Sequence, residues 1–258
     1  MSYVLNIEKI DELQQYHSKK LTEKEKFLID HCCECRLARM PVQYIVKKWD
    51  FRNVILKMIP PVFIPRPETE SLVNIVIENT KSLNSALEIG CGSGAISISL
   101  LNEVKNLKMV AIDQSKLACD LTLTNAKINK VSDRLKIYQK KLEENGTIED
   151  LKYKPDVIVS NPPYLFTSEL FNLQPEIKLY EDLRALDGGI DGLRVIKALL
   201  KFSSVVLLPT KCCFIEIHHN HLPLIKKWLN CNSQLNLHLS GTFKDFFEHD
   251  RFICISKL

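Results

Sequence analysis

The sequence predicts an α/β fold: a largely parallel sheet with helices on both faces, preceded by a short helical segment. Three observations predict it. Strand-like and helix-like runs alternate from residue 85 onward, and a glycine-rich turn follows the first of those strands. The last two strand-like runs have no helix between them long enough for a parallel crossover. A chain of 258 residues suffices for one such domain plus a small appendage.

Residues 1–40 read as helical, with Leu5, Ile10, Leu13, Phe27, Leu28 and Ile29 set among Lys, Glu and Gln. Thr22 followed by Glu25 fits a capping box that opens the second of these helices. Residues 44–63 turn β-rich and read as a small hairpin ending at Pro60 and Pro61. Pro65 and Pro67 hold an extended passage, and residues 68–79 read as a helix with Leu72, Ile75 and Val76 inward. Strands follow at 85–89, 109–113, 135–138, 156–160 and 212–217, with helices at 95–102, 116–127 and 193–200. Strands at 235–239 and 251–256 are expected to pair antiparallel.

With 45% hydrophobic and 26% charged residues, the composition is that of an ordinary globular protein. A net charge of +4 means that any nucleic-acid contact would need a local patch rather than a global field. No apolar run approaches the roughly 18 residues of a membrane span. Nine cysteines, an odd number scattered through apolar segments without a signal peptide, read as reduced thiols in an intracellular compartment. Glu8, Asp11 and Glu12, with no arginine in the first twenty residues, do not make a recognisable organelle transit peptide.

Two loops carry the chemistry. Glu88-Ile89-Gly90-Cys91-Gly92-Ser93-Gly94-Ala95 joins the first strand of the alternation to its helix. Glycines there permit positive φ and bring backbone N–H groups to a ligand at a helix N-terminus. Asp113 ends the next strand, where a carboxylate can accept from both ribose hydroxyls of an adenosine-containing cofactor. Gly90, Gly92 and Ala95 also satisfy dinucleotide spacing, so NAD stays open at this point. Glu88 leans toward S-adenosylmethionine, whose bound end is an amino acid and not a pyrophosphate. Cys91 reads as a small space-filling residue rather than a nucleophile.

The second loop, Asn161-Pro162-Pro163-Tyr164, ends the strand at 156–160, at the carboxyl edge where open α/β sheets bind ligands. The two prolines stiffen the turn. The Asn161 side-chain oxygen and the Pro162 carbonyl can each accept one N–H of a target –NH2, aiming its nitrogen for methyl transfer. Tyr164 would lie flat beside a planar amide. Positioning and preorganised dipoles then supply the rate, with no strong base needed at the start.

These stretches, with Pro41-Val42-Gln43-Tyr44-Ile45, Trp49-Asp50-Phe51, Ile64-Pro65-Arg66-Pro67-Glu68-Thr69-Glu70, Ala185-Leu186-Asp187-Gly188-Gly189 and Asp191-Gly192, resemble the HemK/PrmC class of release factor glutamine methyltransferases over residues 36–258. The 64–70 stretch is the most discriminating, because general Asn-Pro-Pro-Tyr methyltransferases lack it. The Met-Pro-Val-Gln-Tyr and Pro-Pro-Val-Phe-Ile-Pro forms look most like the mitochondrial branch.

The resemblance implies a Rossmann-like class I methyltransferase with a seven-stranded sheet and an antiparallel last strand. It divides the chain into an N-terminal helical segment (1–40, a shortened substrate-docking domain), a β-hairpin linker (41–63) and an S-adenosylmethionine-dependent methyltransferase domain (64–258). The implied substrate is the glutamine of a release factor's Gly-Gly-Gln loop. Carried over, Glu88, Gly90, Cys91, Gly92, Ser93, Gly94, Asp113, Leu142 and Asn161 hold the cofactor. Asn161, Pro162, Pro163 and Tyr164 grip the glutamine, and Phe63, Arg66, Glu68, Thr69 and Glu70 line the site from the front. A monomer with no membrane partner, no direct nucleic-acid partner and no metal is expected, in the mitochondrion by resemblance and otherwise in the cytoplasm.

The chain departs from the family pattern at several points. Lys141 and Leu142 stand where an acidic residue and an aromatic are usual, and Lys47 and Lys48 where a glycine is usual. His218 replaces a common glycine and Asp182 a proline, and the N-terminal helical part is about half the usual length. His31, Cys32, Cys33 and Cys35 lack a second pair at finger-like spacing and read as a buried helix face. His218, His219 and His221 read as a solvated loop, and Lys140 with Lys141 as a solvated strand edge. Two other readings stay open. Adenine N6 offers the same two N–H groups as glutamine, and the short N-terminus admits a non-catalytic descendant. A hydride-transfer residue for the NAD reading is not found.

Overall fold

A computed structural model describes residues 20–80 and 83–258 of the chain. The expected first helix around Leu5 to Leu13 lies outside the described residues. The next helix, α1 (Glu23–Leu37), opens on the expected capping box: Thr22 Oγ1 accepts from Glu25 N at 3.2 Å, and Glu25 Oε2 accepts from Thr22 N at 2.8 Å. Contrary to the expected buried face at His31–Cys35, no residue of α1 is buried. What it contacts lies at its C-terminal end, where Arg36 pairs with Glu176 at 2.9 Å, and Cys33 is exposed.

A short helix, α2 (Val42–Ile45), follows, then β1 (Lys48–Phe51) and β2 (Val54–Lys57), paired antiparallel across Arg52 and Asn53. The hairpin is therefore shorter than the β-rich composition of 44–63 suggested. Tyr44 belongs to α2, where Pro41 fixes φ at −54° ahead of the turn, and its hydroxyl donates to the Val62 carbonyl at 2.6 Å. Lys47, standing at the usual glycine position, sits in left-handed backbone with φ +57°. A lysine there carries a steric cost of roughly 1–2 kcal/mol.

The remaining elements are α3 (Thr69–Glu78), β3 (Ser85–Ile89), α4 (Ala95–Glu103), β4 (Lys108–Asp113), α5 (Lys116–Ile128), β5 (Leu135–Gln139), β6 (Val157–Ser160), α6 (Pro175–Tyr180), α7 (Arg194–Val206), β7 (Cys212–Glu216), α8 (His221–Cys231), β8 (Leu237–Lys244) and β9 (Asp250–Lys257). Seven strands form one sheet in the order β5-β4-β3-β6-β7-β9-β8. β9 runs antiparallel to both neighbours and inserts between β7 and β8, while β5, β4, β3, β6 and β7 are mutually parallel.

Alternate residues of each central strand feed two cores, as a two-residue side-chain period requires. Ala86, Met109, Ala111, Val157, Val159 and Phe214 pack with α3, α4 and the hairpin residues Phe51, Leu56 and Met58. Leu87, Val110, Ile112, Ile158, Cys213 and Ile215 pack on the other face with α7 and α8 through Ile196, Leu199, Ile225 and Leu229. Both faces of β3 and β6 are covered, which explains the apolar run Val157–Val159 and the burial of Ala86, Leu87 and Ile89 around Glu88.

Helix α8 was not among the helices read from the sequence, and it contains Pro223. That proline sits in the first turn, where its missing N–H is tolerated. The hairpin is tied to α5 by two asparagine side chains. Asn125 exchanges hydrogen bonds with the N–H (2.7 Å) and carbonyl (3.1 Å) of Lys57, and Asn129 does the same with Ile55 (3.3 and 2.8 Å).

Candidate active site

The carboxyl ends of β3, β4 and β6 open into a cavity of about 450 Å³. Phe63, Thr69, Glu88, Gly90, Cys91, Gly92, Ser93, Asp113, Leu142, Asn161, Pro162, Pro163 and Tyr164 all line it. Both loops singled out in the sequence thus face one space of ordinary ligand-pocket size.

Its cofactor-side wall is built from backbone geometry. Gly90, Gly92 and Gly94 all have positive φ. At Gly90 and Gly92 nothing lies within 4 Å of where a Cβ would be, so the backbone is open to a ligand. Gly94 is different: it caps α4, is not part of the cavity wall, and a Cβ there would meet Ile98 Cδ1 and Thr122 Cγ2, each at 2.9 Å. Its glycine answers to helix packing rather than to ligand contact.

Asp113 accepts from Gly92 N at 3.0 Å with one oxygen and from Ser115 N at 2.8 Å with the other. The carboxylate fixes the glycine loop and keeps unused lone pairs. Burial pushes its pKa up against these hydrogen bonds. Glu88 is fully buried, accepts from the backbone and hydroxyl of Ser97, and is pushed by burial to about 8. Cys91 is buried, and its contact with the Cys119 sulfur, then burial, holds its thiol well above the ordinary value, which suits a filler and not a nucleophile.

The front residues divide. Thr69 is buried at the start of α3 and reaches the catalytic loop. Arg66, Glu68 and Glu70 do not line the cavity. Arg66 pairs with the buried carboxylate of Glu181 at 2.7 Å and lies over the Phe63 ring at 4.7 Å, bracing a residue that does. Glu68 precedes α3 without a side-chain hydrogen bond to it, and the Glu70 carbonyl accepts from Arg52 at 3.3 Å. Lys140 and Lys141 precede Leu142 and also line the cavity; Lys141 pairs with Glu143 at 2.8 Å in solvent.

On the target side, Ser160 Oγ donates to the Ile89 carbonyl at 2.7 Å and locks the end of β6 to that of β3. Asn161 Nδ2 donates to Thr69 Oγ1 at 3.2 Å, Thr69 donates to Glu216 Oε2 at 2.8 Å, and the Tyr164 hydroxyl donates to Glu216 Oε1 at 3.1 Å. Burial raises the Tyr164 phenol far above its ordinary value, so it stays neutral. Glu216 was not singled out in the sequence. Its signal was there: a lone acid at the carboxyl end of the otherwise apolar strand Cys212–Glu216, the edge where α/β sheets place function.

The histidines correct the expected solvated loop. Only His219 is exposed; His218 is 8% and His221 0% exposed, their rings 5.5 Å apart and packed on Phe166 at 5.6 and 5.3 Å. The turn from β7 into α8 folds them under the catalytic loop, and burial lowers His221 to about 4. Among the described residues no group of three or more His, Cys, Asp or Glu is placed to hold a metal ion.

The methyltransferase small domain family matches residues 67–173. The chain is 39% identical over 250 residues to the human MTRF1L release factor glutamine methyltransferase, covering 93% of this chain and 74% of that protein. It is 34% identical to the release factor glutamine methyltransferase of Fusobacterium nucleatum subsp. nucleatum (99% of this chain, 71% of that one) and 30% identical to that of Thermodesulfovibrio yellowstonii (98% and 90%).

Among solved structures, the hMettl16 catalytic domain bound to an RNA hairpin superposes with a TM-score of 0.62 at 14% identity (84% of this chain, 78% of that one). A Pyrococcus furiosus methyltransferase does so at 0.56 and 17% (88% and 98%). Both show the class I methyltransferase fold alone. The cofactor is S-adenosylmethionine, not NAD. On the identity and coverage of these relatives, the chain belongs to the release factor glutamine methyltransferase family.

Proposed function

We propose that this chain transfers the methyl group of S-adenosylmethionine to the side-chain amide nitrogen of the glutamine in the Gly-Gly-Gln loop of a peptide chain release factor, with Asn161 to Tyr164 gripping that glutamine. One observation carries the reading: the glycine loop and the Asn-Pro-Pro-Tyr loop face each other across a single cavity of about 450 Å³. The residues present fit the cofactor. Open backbone at Gly90 and Gly92 admits close approach, Asp113 has lone pairs left for a ribose diol, and buried Glu88 faces an amino-acid end.

Bound S-adenosylmethionine supplies an electrophilic methyl group on a sulfonium. Asn161 Oδ1 and the Pro162 carbonyl each accept one N–H of the target amide and aim its nitrogen at the cavity's cofactor half. Tyr164 and Phe63 confine the amide plane between them, and Arg66 steadies Phe63 from behind. In the transfer to that nitrogen, the methyl's former bond to sulfur being the one that breaks, positive charge would develop on the nitrogen, where the two fixed carbonyl dipoles of Asn161 and Pro162 would stabilise it. The nitrogen then loses one of its protons to solvent. We place release-factor docking on residues 1–40 and chemistry in 64–258, with 41–63 as the linker whose last residues, Pro61, Val62 and Phe63, line the cavity. We further propose that the chain works as a monomer and belongs to the mitochondrial branch.

The test is a transfer assay with methyl-labelled S-adenosylmethionine and a recombinant release factor. Label on the Gly-Gly-Gln protein and none on its Gly-Gly-Ala variant is the expected result; labelling of both, or of neither, contradicts the acceptor assignment.

Glu88 gives a pH prediction. With its pKa at about 8 in the free protein, it is protonated at pH 7, while a cationic ligand favours the carboxylate. Cofactor binding therefore expels a proton from Glu88, and affinity falls as pH drops below about 8. Calorimetry in buffers of different ionisation enthalpy should show a proton release that Glu88→Gln removes. Equal proton counts for the two proteins would refute it.

A further inference from the structure

Glu216 lies outside the motifs assigned so far, yet it sits at the centre of the catalytic side. β6 and β7 run parallel with Ser160 opposite Ile215, so the next residues, Asn161 and Glu216, emerge side by side at the carboxyl edge. Glu216 is 1% exposed, and its two oxygens accept from Thr69 on α3 and from Tyr164 in the catalytic loop. One carboxylate thus ties together the end of β7, the start of α3 and the loop after β6.

Its chemistry sets a direction. An ionised carboxylate only accepts hydrogen bonds, while a threonine hydroxyl has a single proton. Thr69 donates that proton to Glu216, so toward Asn161 it can only accept. Asn161 must therefore turn its –NH2 to Thr69, leaving Oδ1 free of any hydrogen bond from the described residues. That is the orientation a target –NH2 requires. With the opposite flip, Asn161 would present two donors to two donors.

We infer that Glu216 is a positioning residue of the methyl transfer: acting through Thr69, it fixes the polarity of the Asn161 amide, and through Tyr164, it seats the ring beside the target. The inference rests on the proposed role of Asn161 and extends it to a residue that touches neither substrate nor cofactor.

Burial pushes Glu216 up to about 7, a position to which the groups around it contribute. Arg251 on β9 lowers it, though its guanidinium also serves Asp245 at 3.2 Å, and Glu68 at the head of α3 raises it. Tyr164 is neutral and donates, as does Thr69. On protonation Glu216 gains a donor, Thr69 is no longer forced to accept from Asn161, and the amide loses its enforced polarity. The wild-type kcat should then fall as pH drops through about 7.

The experiment compares wild type, Glu216→Gln, Thr69→Val and Thr69→Ser in methyl transfer to a Gly-Gly-Gln release factor, with S-adenosylmethionine affinity, melting temperature and the pH profile of kcat measured on each. Glu216→Gln and Thr69→Val should lower kcat by about 10- to 100-fold with cofactor affinity within about threefold of wild type. Thr69→Ser should recover most of the rate, and Glu216→Gln should lose the acid limb near pH 7. Folded variants with wild-type kcat and an unchanged acid limb overturn the inference. Rates that fall only in step with melting temperature in both variants also overturn it, by assigning Glu216 to stability. A wild-type protein that does not label Gly-Gly-Gln at all fails earlier, and removes the functional reading itself.

Discussion

Replacing Asn161 by alanine is expected to lower kcat for release-factor methylation by about 10²- to 10³-fold while leaving the protein folded. The estimate follows from the cost of removing one preorganised polar contact at a developing charge, roughly 3–4 kcal/mol. The Asn161 side chain makes one hydrogen bond within the described protein, to Thr69 at 3.2 Å, so its loss unties little of the structure. What it removes is an acceptor for a target N–H and the aim of the nitrogen that goes with it. Single-turnover rates, with S-adenosylmethionine affinity measured separately, check this. A variant with a normal rate ends the assigned role of the loop.

The second large effect separates two glycines of one loop. Gly90→Leu should abolish measurable cofactor binding, a loss of at least about 100-fold, because its side chain projects into space that is open only for a ligand. The positive φ of +78° adds strain of about 1–2 kcal/mol, a drop of several degrees in melting temperature. Gly94→Ala should act the other way round. Its Cβ meets Ile98 and Thr122 at 2.9 Å each, on top of a φ of +84°, so the melting temperature falls further than for Gly90→Leu. Residual folded Gly94→Ala protein should still bind cofactor. Calorimetry and thermal unfolding on both variants decide it, and cofactor affinity equal in the two would refute the division.

Much of this was legible in the sequence, and the exceptions have physical causes. The strands at β3, β4 and β6 showed because burial on both faces writes largely apolar runs, continuous over 109–112 and 157–159 and broken in β3 only by Glu88. The glycine loop, Asp113 and Asn161 to Tyr164 showed because their backbone demands leave few residue choices, and the cavity does bring them together. Besides α8 and the exposed α1, three features show why some details stayed hidden. Tyr44 has high β propensity, but a proline and a buried hydroxyl contact place it in a helical turn. His218 and His221 are buried through the packing of Phe166 against them, a contact between segments more than fifty residues apart. Glu216 acquires its partners only when α3 and the catalytic loop converge on it, and no local pattern announces such a meeting.

The asparagine pair on α5 has a wider meaning. Four helical residues advance about 6.0 Å and two strand residues about 6.6 Å, so side chains at 125 and 129 match the repeat of β2 at 57 and 55. The helix thereby imitates a neighbouring strand, offering one amide per pleat, and the outer rim of β2 is closed to any passing strand. The match also works as a vernier. A slip of β2 by one residue would turn its peptide groups away from both amides at once, so only one register is held. Because Asn125 also donates to the Ser93 carbonyl at 2.9 Å, that register is read directly from the glycine loop, and the hairpin keeps its place by reference to a residue that lines the cavity.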